Sequence, residues 1–114
     1  TVARLYQPTH PAVLHLIDLT VRAGHARNIP VSVCGETAAD PVMAVLLVGL
    51  GVDVLSMSPN LIPLVKKVIS QVSIEEARKM AATVRRMTGT SADKIYTYCR
   101  NQVLKLAPDL LYLQ

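Results

Sequence analysis

From Val42 to Val48 every residue is apolar, and the run is bounded by Pro41 and Gly51. Asp40 and Pro41 start a helix there. The carboxylate can accept from an orphan backbone N–H, and a proline at the first helical position has no N–H to lose. Gly49 and Gly51 are expected to end it. A helix that is apolar all round cannot lie on a surface; it must be covered on several sides. It is also too short to cross a bilayer, and no longer apolar run occurs elsewhere.

The flanking segments say what covers it. Val31 to Val33 reads as a buried strand, because β-branched residues pack well on a pleated surface. Val52 to Met57 reads as a second strand. Thr1 to Gln7 is irregular, since Pro8 biases Gln7 away from helix. Pro11 then opens a helix capped by Thr9 or His10. Val13, Leu14, Ile17 and Val21 mark its inward face, His15, Asp18, Arg22 and Arg27 lie largely off it, and Asn28 stops it. After Ser58-Pro59-Asn60 another helix puts Leu61, Ile62, Val65, Val68 and Ile69 inward and Lys66 and Lys67 outward.

Helix, strand, helix, strand, helix is the alternation of parallel strands joined by helical crossovers, an α/β architecture. Two strands are too few to bury both faces of a parallel sheet, so the chain is expected to be a slice of a larger sheet or barrel. The tail is different in character. Ser73 to Glu76 forms a capping box, and Ile74, Ala77, Met80, Ala81, Val84 and Met87 make one stripe closed by Gly89. Ser91 caps a last helix carrying Ala92, Ile95, Cys99, Val103 and Leu106, ended by Pro108.

Several function classes fall away. The 114 residues carry a net charge of +4, but the basic residues are spread along helices. With no Phe, no Trp and four scattered Tyr there is no stacking platform for nucleic acid. Two distant cysteines without a CxxC argue against a disulfide scaffold or a zinc site and for a reducing cytoplasm. No cleavable signal and no membrane segment is expected. His10, His15 and His25 lack metal-site spacing.

The chemistry-bearing residues gather where the first strand ends, at Cys34, Gly35 and Glu36, and the carboxyl edge of parallel strands is where functional groups collect. Cys34 can be an acid, a nucleophile or a small buried hydrophobe, and the residues alone favour the buried one. Gly35 lets a ligand approach the backbone or simply relieves a turn. Glu36 can orient a polar group, hold a cation, or stand idle in solvent. Asp40 reads as a helix cap. Ser56 and Ser58 are expected on the same face as Cys34, with Ser58 capping the next helix; His15 and His25 read as surface residues, and Cys99 as packing.

A set of blocks resembles a known pattern: Leu5-Tyr6-Gln7-Pro8, His10-Pro11-Ala12-Val13-Leu14, Cys34-Gly35-Glu36, Gly49-Leu50-Gly51 and Ser56-Met57-Ser58-Pro59. Together they are similar to the C-terminal part of enzyme I of the bacterial phosphoenolpyruvate:sugar phosphotransferase system, from Thr1 to about Ile69. Thr37-Ala38-Ala39-Asp40 and Ser56-Met57-Ser58 are more similar to enzyme I than to its relatives, with the sugar and the nitrogen-related branch both open. Pyruvate phosphate dikinases and phosphoenolpyruvate synthases share the cysteine and glycine. The resemblance implies that residues 1–114 are the C-terminal portion of a (β/α)8 TIM barrel, with the last two strands followed by two helices. It implies that Cys34 protonates the methylene carbon of enolpyruvate and that Gly35 and Glu36 bind substrate. An ordinary cysteine thiol is mostly protonated near neutrality, which suits a proton donor.

The same resemblance implies Mg2+ as cofactor, held by carboxylates upstream of Thr1 together with a Gly-Thr-Asn-Asp block and phosphate-clamping arginines. It implies a phosphorylatable histidine in another domain, a phosphocarrier protein as acceptor, a homodimer and a cytoplasmic setting. The 114 residues alone are therefore expected to be inactive and to self-associate, through the open edge of Val31–Val33 and a Val42–Leu50 helix that has lost part of its cover. The alternative is a non-catalytic dimerisation module. A flavodoxin-like domain has too few strands and no phosphate-binding glycine loop to support it.

Overall fold

A computed structural model describes residues 7–113. The blocks at Leu5-Tyr6 and the irregular start expected for residues 1–6 lie outside the described residues.

Helix α1 spans Pro11–Ala26, with His10 as its cap: Nδ1 accepts from the Ala12 N–H at 3.1 Å. It ends two residues before the expected stop, Asn28, whose left-handed φ of 57° suits an asparagine and turns the chain toward the first strand. Strand β1 (Ser32–Cys34) leads to a four-residue helix α2 (Glu36–Ala39), which the sequence pattern did not foretell. Helix α3 (Pro41–Leu50) follows, then strand β2 (Val54–Ser56). A 3-10 turn (Pro59–Leu61) enters α4 (Ile62–Ser70). The tail holds α5 (Ile74–Arg85), α6 (Ala92–Leu106) and the unforeseen α7 (Leu110–Leu113).

The strands are parallel, with Ser32 beside Val54, Val33 beside Leu55 and Cys34 beside Ser56. Strand β2 is shorter than the expected Val52–Met57, while β1 is offset by one residue from the expected Val31–Val33. The first strand is half-buried where a buried one is expected, because only one face of the pair is covered. Val33 and Leu55 pack with Val21, Leu47 and Val52 under the helices. Period-two alternation turns Ser32, Cys34, Val54 and Ser56 to the other face, which is open; Val54 is 50% exposed.

Helix α3 is the centre of the molecule, and every residue in it except Val48 is buried. Ala77, Met80, Ala81 and Val84 of α5, Ile95, Cys99 and Val103 of α6, and Val68 of α4 enclose it. The expected loss of cover is therefore wrong: this chain's own tail supplies it. Gly49 does not end the helix either. Gly51 does, at a left-handed φ of 100°, while Gly49 lets α5 seat its backbone at Ala77 directly on α3.

Other expectations shift for nameable reasons. The inward arc of α1 is Leu14, Asp18 and Val21, spaced i, i+4, i+7, so Val13 lies outward and Asp18 inward. Asp18 is affordable there because Arg85 donates Nε and Nη2 to its Oδ1 at 3.2 and 3.1 Å, and Arg22 reaches its Oδ2 at 3.1 Å. Leu61, Ile62 and Ile74 are exposed: the turn at Pro59 delays the start of α4, in which only Val65 and Val68 are buried, and Ile74 stands at the first position of α5. The capping box at Ser73 and Glu76 forms in both directions. Helix α5 stops at Arg85, short of Gly89, which sits in the following turn.

His25 is on the surface as expected but is not alone. Its Nε2 lies 2.7 Å from Asp53 Oδ2, which also accepts from the Val31 N–H at 2.8 Å, tying the end of α1 to the starts of both strands. The Val31 N–H first, and His25 second, hold the Asp53 carboxyl below the usual carboxylate range. A folded-state value below the unfolded one stabilises the fold above about pH 4 and is lost as pH falls through the folded value. Asp53→Asn should therefore lose less stability than wild type on acidification below about pH 4, read by urea unfolding at stepped pH. Parallel acid profiles for the two proteins would contradict it. Glu76, held low by the Ser73 N–H, shares the sign and leaves a residual slope.

Candidate functional site

The carboxyl edge of the two strands forms the site. Cys34 ends β1 and is exposed, so the buried alternative for it is overturned. Its neighbour across the sheet is Ser56, on the same open face, as expected. Gly35 then takes φ 94°, ψ −159°, a conformation open essentially to glycine alone. Its N–H donates to Ser56 O at 3.2 Å, and a Cβ placed on it would meet nothing within 4 Å. The glycine is there for the backbone path, and it leaves the loop open to approach.

From Gly35 the chain turns at once into α2. Ala39 N–H donates to Gly35 O at 3.2 Å and Asp40 N–H to Glu36 O at 3.1 Å. Glu36, in the first turn, is exposed and has no ion-pair partner among the described residues. Asp40 caps α3 as expected, Oδ1 accepting from Val42 N–H at 2.9 Å and from Met43 N–H at 3.4 Å. Its other oxygen accepts from the Tyr96 hydroxyl at 2.9 Å. Burial first, and Asp40 second, push the Tyr96 phenol up to about 12.

A cleft of about 550 Å3 lies beside this loop, lined by Gly35, Glu36, Asp40, Met57, Ser58 and Leu61 among others. Cys34 does not line it but stands on the adjoining sheet face. Ser58 was expected with Cys34 and as a cap. It faces the cleft instead, and its side chain makes no capping bond to the turn it precedes.

The two thiols have separate roles. Cys99 is fully buried on the α6 stripe, and burial pushes it up to about 12, so it is a neutral packing group. Cys34 alone meets solvent. Tyr96 is the participant the sequence reading missed. The available signal was its place beside Ala92 and Cys99 on the buried stripe, where a tyrosine hydroxyl needs a partner. Among the described residues no group of three or more His, Cys, Asp or Glu is placed to hold a metal ion. No helix there is long and apolar enough to cross a membrane.

Residues 1–74 match the sequence model of a family described as PEP-utilising enzyme, PEP-binding domain. A phosphoenolpyruvate-protein phosphotransferase of Haemophilus influenzae is 37% identical over 95 residues, covering 82% of this chain and 16% of the relative. One from Mycoplasma genitalium is 38% identical over 91 residues, covering 80% and 16%. A phosphoenolpyruvate synthase of Pyrococcus furiosus is 40% identical over 79 residues, covering 69% and 9%. The chain thus spans 16% of the length of either phosphotransferase.

Proposed function

Since the chain belongs to the PEP-utilising enzymes through their PEP-binding domain, we propose that it forms the proton-donor wall of a phosphoenolpyruvate-dependent protein phosphotransferase. Phosphoenolpyruvate (PEP) gives its phosphoryl group to an enzyme histidine outside these residues. The C–O–P bond breaks at phosphorus, and the enolate oxygen collapses to the ketone of pyruvate. The carbon–carbon double bond takes the proton from the Cys34 thiol, and solvent reprotonates the thiolate. Gly35 and Glu36 complete the substrate wall.

The observation that carries this is the exposed thiol of Cys34 at the carboxyl edge of a parallel pair, beside Ser56 and the unobstructed Gly35 backbone. One packed and one open sheet face, with α3 as the crossover, support a place for β1 and β2 as neighbouring strands of a (β/α)8 barrel. The open face would then look into that barrel. Residues 1–114 are on this account its C-terminal portion, in a cytoplasmic homodimer that passes phosphate to a phosphocarrier protein. On this account magnesium is held by carboxylates outside residues 1–114, as the resemblance implies, and no step here runs through it.

Substrate protection tests this reading in a phosphotransferase where this sequence replaces the aligned span of the Haemophilus influenzae relative. Alkylation of Cys34 should slow roughly tenfold at ten times the dissociation constant of PEP. Alkylation unaffected by PEP at concentrations that saturate phosphoenzyme formation would contradict it.

A further inference from the structure

We infer that Tyr96 is a positioning residue for the Cys34–Gly35–Glu36 loop, acting on it through Asp40. The inference rests on the reading of that loop as the substrate wall. Tyr96 lies on α6, outside residues 1–74 that match the family. Its hydroxyl reaches an acceptor 56 residues away in sequence, at 2.9 Å. The same carboxylate caps α3 with its other oxygen. One side chain thereby fastens α6, the start of α3 and the end of α2 at a single point.

From Asp40 the connection to the site is short. Its N–H bonds to Glu36 O, and the preceding N–H, of Ala39, bonds to Gly35 O. A four-residue helix cannot hold its own shape, because nucleation fixes several dihedrals for very few hydrogen bonds. Gly35, at its entrance, contributes no side-chain packing but bonds through its N–H to Ser56 O, and the hold on α2 also draws on buried Ala38 and on Asp40 at the exit. A hydrogen bond to an ionised acceptor is stronger than a neutral one. The phenol, raised to about 12, stays protonated and keeps donating at neutral pH.

Two variants separate this from general packing. Tyr96→Phe removes one oxygen and keeps the ring. Asp40→Asn keeps the capping oxygen and can offer its amide N–H to the tyrosine oxygen, which restores the link with reversed polarity. In the 114-residue chain, Tyr96→Phe should speed amide hydrogen exchange at Ala39 and Asp40 roughly tenfold. Leu46 and Leu47 should keep their protection, and Asp40→Asn should keep most of it at Ala39. In the phosphotransferase carrying this sequence, Tyr96→Phe should lower kcat for pyruvate release roughly tenfold with KM for PEP little changed.

Unchanged exchange at Ala39 and Asp40 in Tyr96→Phe overturns the inference. So does equal loosening at Leu46 and Leu47, which marks a merely structural role. Loosening of α2 with unchanged pyruvate release also overturns it. Undiminished proton delivery in Cys34→Ala overturns the reading of Cys34 instead, and the exchange measurement alone then decides whether Tyr96 holds the loop.

Discussion

Gly49→Ala should unfold the chain at temperatures the wild type tolerates, with a melting temperature lower by more than about 10 °C. The position is inside α3, where alanine would ordinarily gain about 0.5–1 kcal/mol over glycine in helical preference. Here the methyl group would run into the Ala77 carbonyl, with the Ala77 carbonyl carbon at 2.6 Å and the Ala81 Cβ at 3.1 Å. The first two are backbone atoms of α5, and no rotamer change can move them. Helix α5 must lift away from α3, opening the contact that buries Ala77, Met80 and Ala81. Overpacking typically costs about 1–3 kcal/mol and more when backbone must move, so the net loss should exceed about 3 kcal/mol. Against a total of roughly 5–15 kcal/mol that is a large fraction. A thermal melt within about 2 °C of wild type would show that α5 does not sit on α3 as described.

That prediction could not have come from the sequence. Gly49 two residues before Gly51 reads as helix-ending chemistry, and only the proximity of Ala77, far along the chain, gives it another meaning. The features that were legible depend on near neighbours. Asp40 before Pro41, the Ser73–Glu76 capping box and Ser91 before Lys94 each bond within three residues, and each formed. The all-apolar run correctly demanded cover on several sides, but not which elements would supply it. Asp18 and Tyr96 were misplaced or missed because their partners, Arg85 and Asp40, lie 67 and 56 residues off. Helix α2 is too short to show a period. At the site, the position of Cys34 at a strand end was readable, and so was its pairing with the Ser56 face. The separate cleft between Glu36 and Ser58 was not, since it depends on how the 3-10 turn at Pro59 carries the chain away from β2.

The second large effect concerns Cys34. In a phosphotransferase carrying this sequence, Cys34→Ala should spare phosphoryl transfer from PEP to the enzyme histidine and remove proton delivery to carbon. The two steps act on opposite ends of the substrate. Phosphoryl transfer depends on cationic groups that neutralise developing charge, and Cys34 is not one of them. Proton transfer to the methylene carbon depends on a positioned acid, which typically contributes 10²–10⁴-fold. Cys99→Ala is the matched control. It empties a little volume in the core, for a stability loss of about 1–2 kcal/mol, and leaves proton delivery alone.

Exchange of the pyruvate methyl hydrogens with deuterated solvent, followed beside phosphoenzyme yield, measures that separation. Cys34→Ala should exchange at least about a hundredfold more slowly than wild type, at near-normal phosphoenzyme yield. Exchange at the wild-type rate in Cys34→Ala would contradict the assignment of Cys34 as the acid.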